Sequence, residues 1–160
     1  MKKNKEYNNG IVKLLNFKTE DPYLRYYVKT IKKINNSSKI KFYPGSPKII
    51  KFLTDNSDEL YFFELHNNEY KDLKKNFSMF GNVKILNKDG FNLFEEKKIN
   101  IKKKGIVLID PSYEIKDDYV KVINFIKKNN ENLQNKIVLI WYPVFNREFN
   151  NEYIESFKKT

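Results

Sequence analysis

Gly105-Ile106-Val107-Leu108-Ile109-Asp110-Pro111-Ser112-Tyr113 is an unbroken apolar run that stops at a carboxylate and turns on a proline. Five apolar or small residues in a row predict a strand buried on both faces, as in a parallel sheet, with Asp110 just past its carboxyl end. Working outward, the same pattern recurs on both sides. Ile137-Val138-Leu139-Ile140-Trp141 reads as a following strand. Leu60-Tyr61-Phe62-Phe63 reads as an earlier strand ending in Glu64, and Val83-Lys84-Ile85-Leu86 as one ending near Asp89-Gly90. Helical spacing fills the intervals: Tyr70, Leu73 and Phe77 share one face of a helix over 67–77, and Ile115, Tyr119, Val122, Ile123 and Ile126 share a face of the next. A last helix begins at Asn146 and runs to Phe157. Alternating strands and helices predict an α/β fold, a parallel sheet with helices on both faces. Ligands bind such sheets at the carboxyl ends of the strands. Three of the four expected strands end in or near an acid, Glu64, Asp89 or Asp110, which marks that edge as the candidate site.

Ahead of this core the pattern is helical. Asp21-Pro22 is an N-cap followed by proline at the first helical position. Leu24, Tyr27, Val28, Ile31 and Ile34 then recur at helical spacing until Asn35-Asn36-Ser37-Ser38 ends the helix. Ile40 to Tyr43 reads as short and extended, and Pro44-Gly45-Ser46-Pro47 as a turn opening a helix with Ile49, Ile50 and Leu53 inward. The lysine-rich stretch from Lys97 to Lys104 reads as a solvated loop. No internal repeat and no linker interrupts residues 1–160, so one domain is expected.

The 160 residues include 13 Phe and 11 Tyr, enough apolar surface to build a core and to argue against global disorder. There is no cysteine, which excludes a disulfide framework and thiolate-held metal. Apolar runs fall far below the roughly 20 residues that cross a bilayer. The amino terminus has charge but no apolar segment of the signal-peptide kind, so a cytoplasmic protein is expected. The net charge of +11 has two readings. Lys and Arg neutralise phosphates, which points to a polyanion partner. Yet only Arg25 and Arg147 are arginines among 31 basic residues, and the chain has 22 Asn and no Ala, as an A/T-rich genome would produce without any ligand.

Asp110-Pro111-Ser112-Tyr113 suits the holding of a planar amine. A carboxylate accepts from one exocyclic N–H, the backbone carbonyl of a proline-stiffened turn accepts from the other, and a tyrosine ring stacks on the base. The plain alternative is an aspartate capping the next helix across a Pro-Ser turn. Likewise Ser46 would serve as a cap for the helix begun by Pro47, Asp89-Gly90 as an ordinary turn, and Glu64 as a solvated strand end.

Asp110 to Tyr113 resembles the Asp-Pro-Pro-Tyr signature of amino-methyltransferases that use S-adenosylmethionine. Tyr43-Pro44-Gly45-Ser46-Pro47, Glu64-Leu65-His66, Asp89-Gly90, Asp110 to Glu114 and Trp141-Tyr142-Pro143-Val144 stand in the order, and at about the spacing, of the methyltransferase J family. That family methylates an adenine of 23S ribosomal RNA at N6, and the likeness runs from about Tyr7 onward. The resemblance implies a Rossmann-like class I fold with S-adenosylmethionine as cofactor and 23S ribosomal RNA as partner. It implies that Ser46 contacts the cofactor, Glu64 accepts from its ribose hydroxyls, and Asp89 and Gly90 sit against its adenine. Asp110, next to the cofactor, would accept from the target amine with the Pro111 carbonyl, and Tyr113 would stack on the target base. No metal is implied. His66 is given no role, and Trp141-Tyr142-Pro143 would shape the pocket wall.

Two departures qualify the likeness. Ser112 replaces the second proline, which leaves Asp110 and the carbonyl in place on a less stiffened turn. The family's amino-terminal cofactor-binding segment and its glycine-rich loop of the Asp-Thr-His-Ala-Gly-Ala-Gly kind are not found, and the chain stops before the family's last two strands. The resulting expectation is a truncated methyltransferase sheet, in which the strands flanking the absent central one face a gap with unpaired backbone groups. Residues 1–44 form a helical insertion region and 45–160 the catalytic α/β part, with a second chain as a conceivable source of the missing loop. The alternative function is a non-catalytic RNA-binding or ribosome-assembly fragment that uses lysines and exposed tyrosines.

Overall fold

A computed structural model describes residues 11–37, 42–97, 99–100, 102–113, 117–143 and 147–158. The chain divides into two compact units. One comprises Met1–Phe62 with Leu73–Ile85, the other Phe63–Asp72 with Leu86–Thr160.

The first unit is mainly helical. α1 (Ile11–Asn16) precedes α2 (Pro22–Asn35), and α3 (Ser46–Leu53) follows. α2 begins as its sequence dictates. The Asp21 carboxylate accepts from the Leu24 N–H at 2.8 Å, and Pro22 occupies a first-turn position where no N–H is needed. It ends at Asn36, whose left-handed φ of 47° closes the helix with its N–H directed to the carbonyls of Lys32 and Lys33. Ile31 is fully buried on its inner face. Asn35, also buried, donates to the Ile31 carbonyl and accepts from the Phe42 N–H at 3.1 Å, which ties the helix end to the chain leading into α3. The expected extended stretch at 40–43 lies partly outside the described residues, and Phe42 and Tyr43 belong to no strand.

β1 (Leu60–Phe63) pairs with β2 (Val83–Leu86). The Leu60 N–H donates to the Asn82 carbonyl at 2.9 Å and the Glu64 N–H to the Leu86 carbonyl at 3.0 Å. The same offset at both ends makes the strands parallel. α4 (Asn67–Phe77) connects them. In the first unit Leu60, Phe62 and Phe77 form a small core, with Phe62 and Phe77 edge to face at 5.4 Å.

In the second unit a 3₁₀ helix (Gly90–Glu95) leads to β3 (Gly105–Ile109), then α5 (Asp117–Lys128), α6 (Asn130–Leu133), β4 (Lys136–Ile140) and α7 (Arg147–Lys158). β3 and β4 are parallel and in register from Gly105 opposite Lys136 to Ile109 opposite Ile140. One face of this pair, with Val107, Ile109, Val138 and Ile140, packs on Tyr119, Val122 and Phe125. The other face, Ile106, Leu108, Ile137 and Leu139, is exposed.

All four expected strands are present, and β4 begins one residue earlier than the pattern suggests. Among the described residues they form two separate parallel pairs, β1–β2 and β3–β4, rather than one continuous sheet. Helix cover on both faces is therefore not seen for β3–β4. The fold is mixed α/β with small parallel sheets. No helix among the described residues is long and apolar enough to cross a membrane.

Candidate active site

Asp110 is the first residue past β3. The Trp141 N–H donates to the Ile109 carbonyl at 3.0 Å, so the ladder continues one step past β4 and brings Asp110 and Trp141 to neighbouring strand ends. Asp110 is exposed and has no hydrogen-bond or ion-pair partner among the described residues. Partial desolvation nonetheless pushes its carboxyl above the ordinary aspartate value. It caps no helix: the next described helix, α5, begins seven residues on, at Asp117. An accessible carboxylate with free acceptor capacity at a strand end is what a positioned donor group needs.

Tyr113 adopts a left-handed backbone conformation with φ of 53°, a strained setting for a bulky side chain that its surroundings must hold in place. They hold it by burial. Its ring is only 6% exposed, lies 4.6 Å from the Tyr119 ring and 6.5 Å from that of Trp141, and its hydroxyl is turned toward Tyr153. Tyr153 stands edge to face with Tyr119 at 4.9 Å and with Tyr142 at 5.3 Å. The Tyr119 hydroxyl donates to the Pro143 carbonyl at 3.2 Å, fixing the turn after β4 to α5. Burial raises the pKa of Tyr113, Tyr119 and Tyr153, so all three stay neutral. The ring that the sequence assigns to the target base is thus enclosed in the core. The aromatic surface open beside Asp110 is Trp141, 56% exposed.

A second cluster in the same unit gathers the ends of β1 and β2. The Asn87 amide donates to the Glu64 carbonyl at 2.9 Å and to that of Leu65 at 3.2 Å, cross-linking the two strand ends. Glu64 Oε1 accepts from the His66 N–H at 2.8 Å. Its other oxygen has no partner among the described residues. Asp89 caps the 3₁₀ helix, accepting from the Phe91 N–H at 2.9 Å. Gly90 has no positive φ, and a Cβ there would meet only Phe63 at an ordinary 3.5 Å, so neither its backbone nor its neighbours require glycine.

Ser46 belongs to the other unit. It is the first residue of α3, whose cap is Gly45 with no side-chain bond, so Ser46 is not the capping residue. Glu64, Asp89, Gly90, Asp110, Pro111 and Tyr113 are all carried by one unit, on the carboxyl-terminal ends of strands or the turns after them. Sequence reasoning missed Asn87, since an asparagine after a strand reads only as a turn residue, and gave Trp141 no more than a wall. Glu114 and Val144 of the quoted motifs lie outside the described residues. Among the described residues no three acidic or histidine side chains gather closely enough to hold a metal ion.

Comparison with known proteins places the chain in a family. The family model described as "Ribosomal RNA large subunit methyltransferase D, RlmJ" matches residues 1–160. The chain is 31% identical over 155 residues to "Ribosomal RNA large subunit methyltransferase J" of Escherichia coli, covering 97% of this chain and 55% of that protein. It is 34% identical over 156 residues to the protein of the same name from Haemophilus influenzae, covering 97% and 56%. The crystal structure of protein LPL1258 from Legionella pneumophila superposes with a TM-score of 0.85 at 30% identity, over 98% of this chain and 59% of that one. The chain therefore spans about half the length of the curated relatives it matches. With a match along its whole length, it belongs to the ribosomal RNA large subunit methyltransferase J family.

Proposed function

We propose that the chain carries the catalytic part of an enzyme that transfers a methyl group from S-adenosylmethionine to the exocyclic N6 amine of an adenine in 23S ribosomal RNA. The observation that carries the reading is Asp110. It is an accessible carboxylate without a partner at the end of β3, followed by Pro111, in a chain whose family methylates ribosomal RNA. In this reading 1–160 is one partial methyltransferase domain of Rossmann-like class I type acting in the cytoplasm, with 1–44 a helical insertion and 45–160 the catalytic part.

The residues present fit the cofactor. Glu64 keeps one carboxylate oxygen for a ribose diol, held in place by its turn and by Asn87 across the strand ends. Gly90, which the fold does not require, leaves the turn after Asp89 open for a flat adenine. Ser46, to which the resemblance gives a cofactor contact, is carried by the other unit. Bound there, S-adenosylmethionine supplies an electrophilic methyl group.

The chain's own residues act on the amine. Asp110 accepts a hydrogen bond from one N–H and the Pro111 carbonyl from the other, which orients the nitrogen lone pair and enriches its electron density. The role uses the ionised carboxylate, which partial desolvation disfavours by raising its pKa above the ordinary aspartate value. Stacking on the base falls to the exposed Trp141 face, with Tyr113 as its buried support. Asp110→Asn is the test. Methyl transfer to ribosomal RNA should fall about 10²–10³-fold with RNA affinity unchanged. Undiminished transfer would contradict the assignment.

A non-catalytic RNA-binding role is the second reading, and the concentration of cations along α2 favours it. Asp110→Asn separates the two, because a chain that only binds would show no effect.

A further inference from the structure

The excess charge of this chain is not spread evenly. In the first unit a cleft of about 980 Å³ is lined by Phe17, Lys18 and the outward face of α2. Arg25, Lys29, Lys32 and Lys33 contribute to it, and Glu20 is the one carboxylate in its lining. The four α2 cations stand at positions i, i+4, i+7 and i+8, a single stripe along the helix. Arg25 meets Glu20 at 3.8 Å in an exposed pair that salt screens. Lys18, Lys29, Lys32 and Lys33 have no carboxylate partner among the described residues. Like charges four apart destabilise an isolated helix, and Glu20 is the one acid in the cleft lining to offset them.

We propose that this cleft is a binding site for the RNA backbone, separate from the strand-end site and serving to hold the ribosomal RNA while its adenine is presented there. The inference rests on the reading of the substrate as RNA. Lysines contact phosphates as point charges without reading sequence, so the site positions the RNA and does not select the base. Tyr23 and Tyr26, 83% and 60% exposed on the same helix, offer rings on which unpaired bases can stack. A solvated helix produced by codon bias would carry lysines on every face and pair some of them. α2 carries no acid, and its cations converge on one concavity.

The experiment is the salt dependence of affinity for a fluorescent ribosomal-RNA hairpin, measured on the full chain. One variant replaces Arg25, Lys29, Lys32 and Lys33 by Gln. A control replaces the exposed Lys71, Lys102, Lys104 and Lys127 by Gln, with the same loss of charge. The α2 variant should bind about tenfold or more weakly, and the slope of log affinity against log salt should become shallower by about 2–3. The control should change the slope by less than about 1. Equal slopes in the two variants, or a wild-type slope in the α2 variant, would overturn the proposal. If the fourfold variant fails to fold, single Lys29→Gln and Lys33→Gln changes, each expected to remove about 1 from the slope, decide instead. Asp110→Asn should bind the hairpin as the wild type does, so failure of the cleft and failure of the catalytic reading give different results.

Discussion

α2 and α5 are amphipathic helices of similar length, each burying one apolar face and each ending in lysines, but their charges behave differently. α5 opens with Asp117 and Asp118, and two of its three cations find partners: Lys121 meets Asp118 at 3.2 Å and Lys128 meets Glu95 at 3.5 Å. α2 carries Arg25, Lys29, Lys32 and Lys33 with no acid in the helix, and these line a cleft. α5 has the charge pattern of a structural helix, with acids at its N-terminus and bases at its C-terminus complementing the macrodipole. α2 has the Asp21 cap and the last-turn Lys32 and Lys33, but no acid within the helix to pair with its cations. Lysine content by itself could not separate codon bias from an RNA surface, whereas the distribution of partners distinguishes the two helices.

The largest effect that would break the comparison concerns the core on which α5 rests. Phe125 is buried between Phe91 and Phe94, with ring centroids at 5.8 and 5.9 Å. Phe125→Ala should cost about 3–5 kcal/mol in chemical denaturation, by lost transfer energy and the cavity left behind. A much smaller loss would mean that the helix is not anchored as described. Ile31→Ala, on the buried face of α2, should cost about 2–5 kcal/mol. Replacing Lys128 by Gln should cost less than about 1 kcal/mol, because its pair with Glu95 is solvent-exposed at both ends. It should also leave the RNA salt slope nearly intact. A large loss of RNA affinity in that variant would erase the distinction between the helices.

Removing the Asp21 cap sharpens the comparison from the other end. Asp21→Ala should cost about 1 kcal/mol and fray the first turn of α2, seen as faster amide exchange there and not in α5. The smallest effect is a pH signature at Asp110. Its folded-state pKa is raised by desolvation, so the ionised form is disfavoured by folding. Its contribution to stability is fully present below the unfolded aspartate value and is lost as pH rises through the folded value. Asp110→Asn should therefore be neutral or slightly stabilising at pH 7, and that gain should vanish in acid. A marked destabilisation at neutral pH would show that the carboxylate has a structural partner.

Much of the fold was legible because its elements obey local rules. Asp21-Pro22 and Asn36 mark the two ends of α2, and continuous apolar runs mark β1 and β3 to the residue. The 3₁₀ helix at Gly90–Glu95 and the short α1 were not foreseen, since neither is long enough to display a period. Among the described residues the separation of β1–β2 from β3–β4 agrees with the expected gap in the sheet, which followed from the family's strand order, since no local pattern encodes which strands touch. At the site, the motif residues indicated chemistry but not exposure. Tyr113 has a reader's signature for stacking and a buried ring, because Tyr119, Tyr153 and Trp141 surround it. Asn87 gave no signal at all, its role arising only where the ends of β1 and β2 meet.

The central claim is that the strand ends form a methyltransferase site. Calorimetric titration of the folded chain with S-adenosylhomocysteine, beside Glu64→Gln, tests it most directly. The account predicts saturable binding by the wild type and at least about tenfold weaker binding by the variant, from loss of a charged hydrogen-bond acceptor. A folded wild type that releases no heat, or a variant that binds equally well, would contradict it.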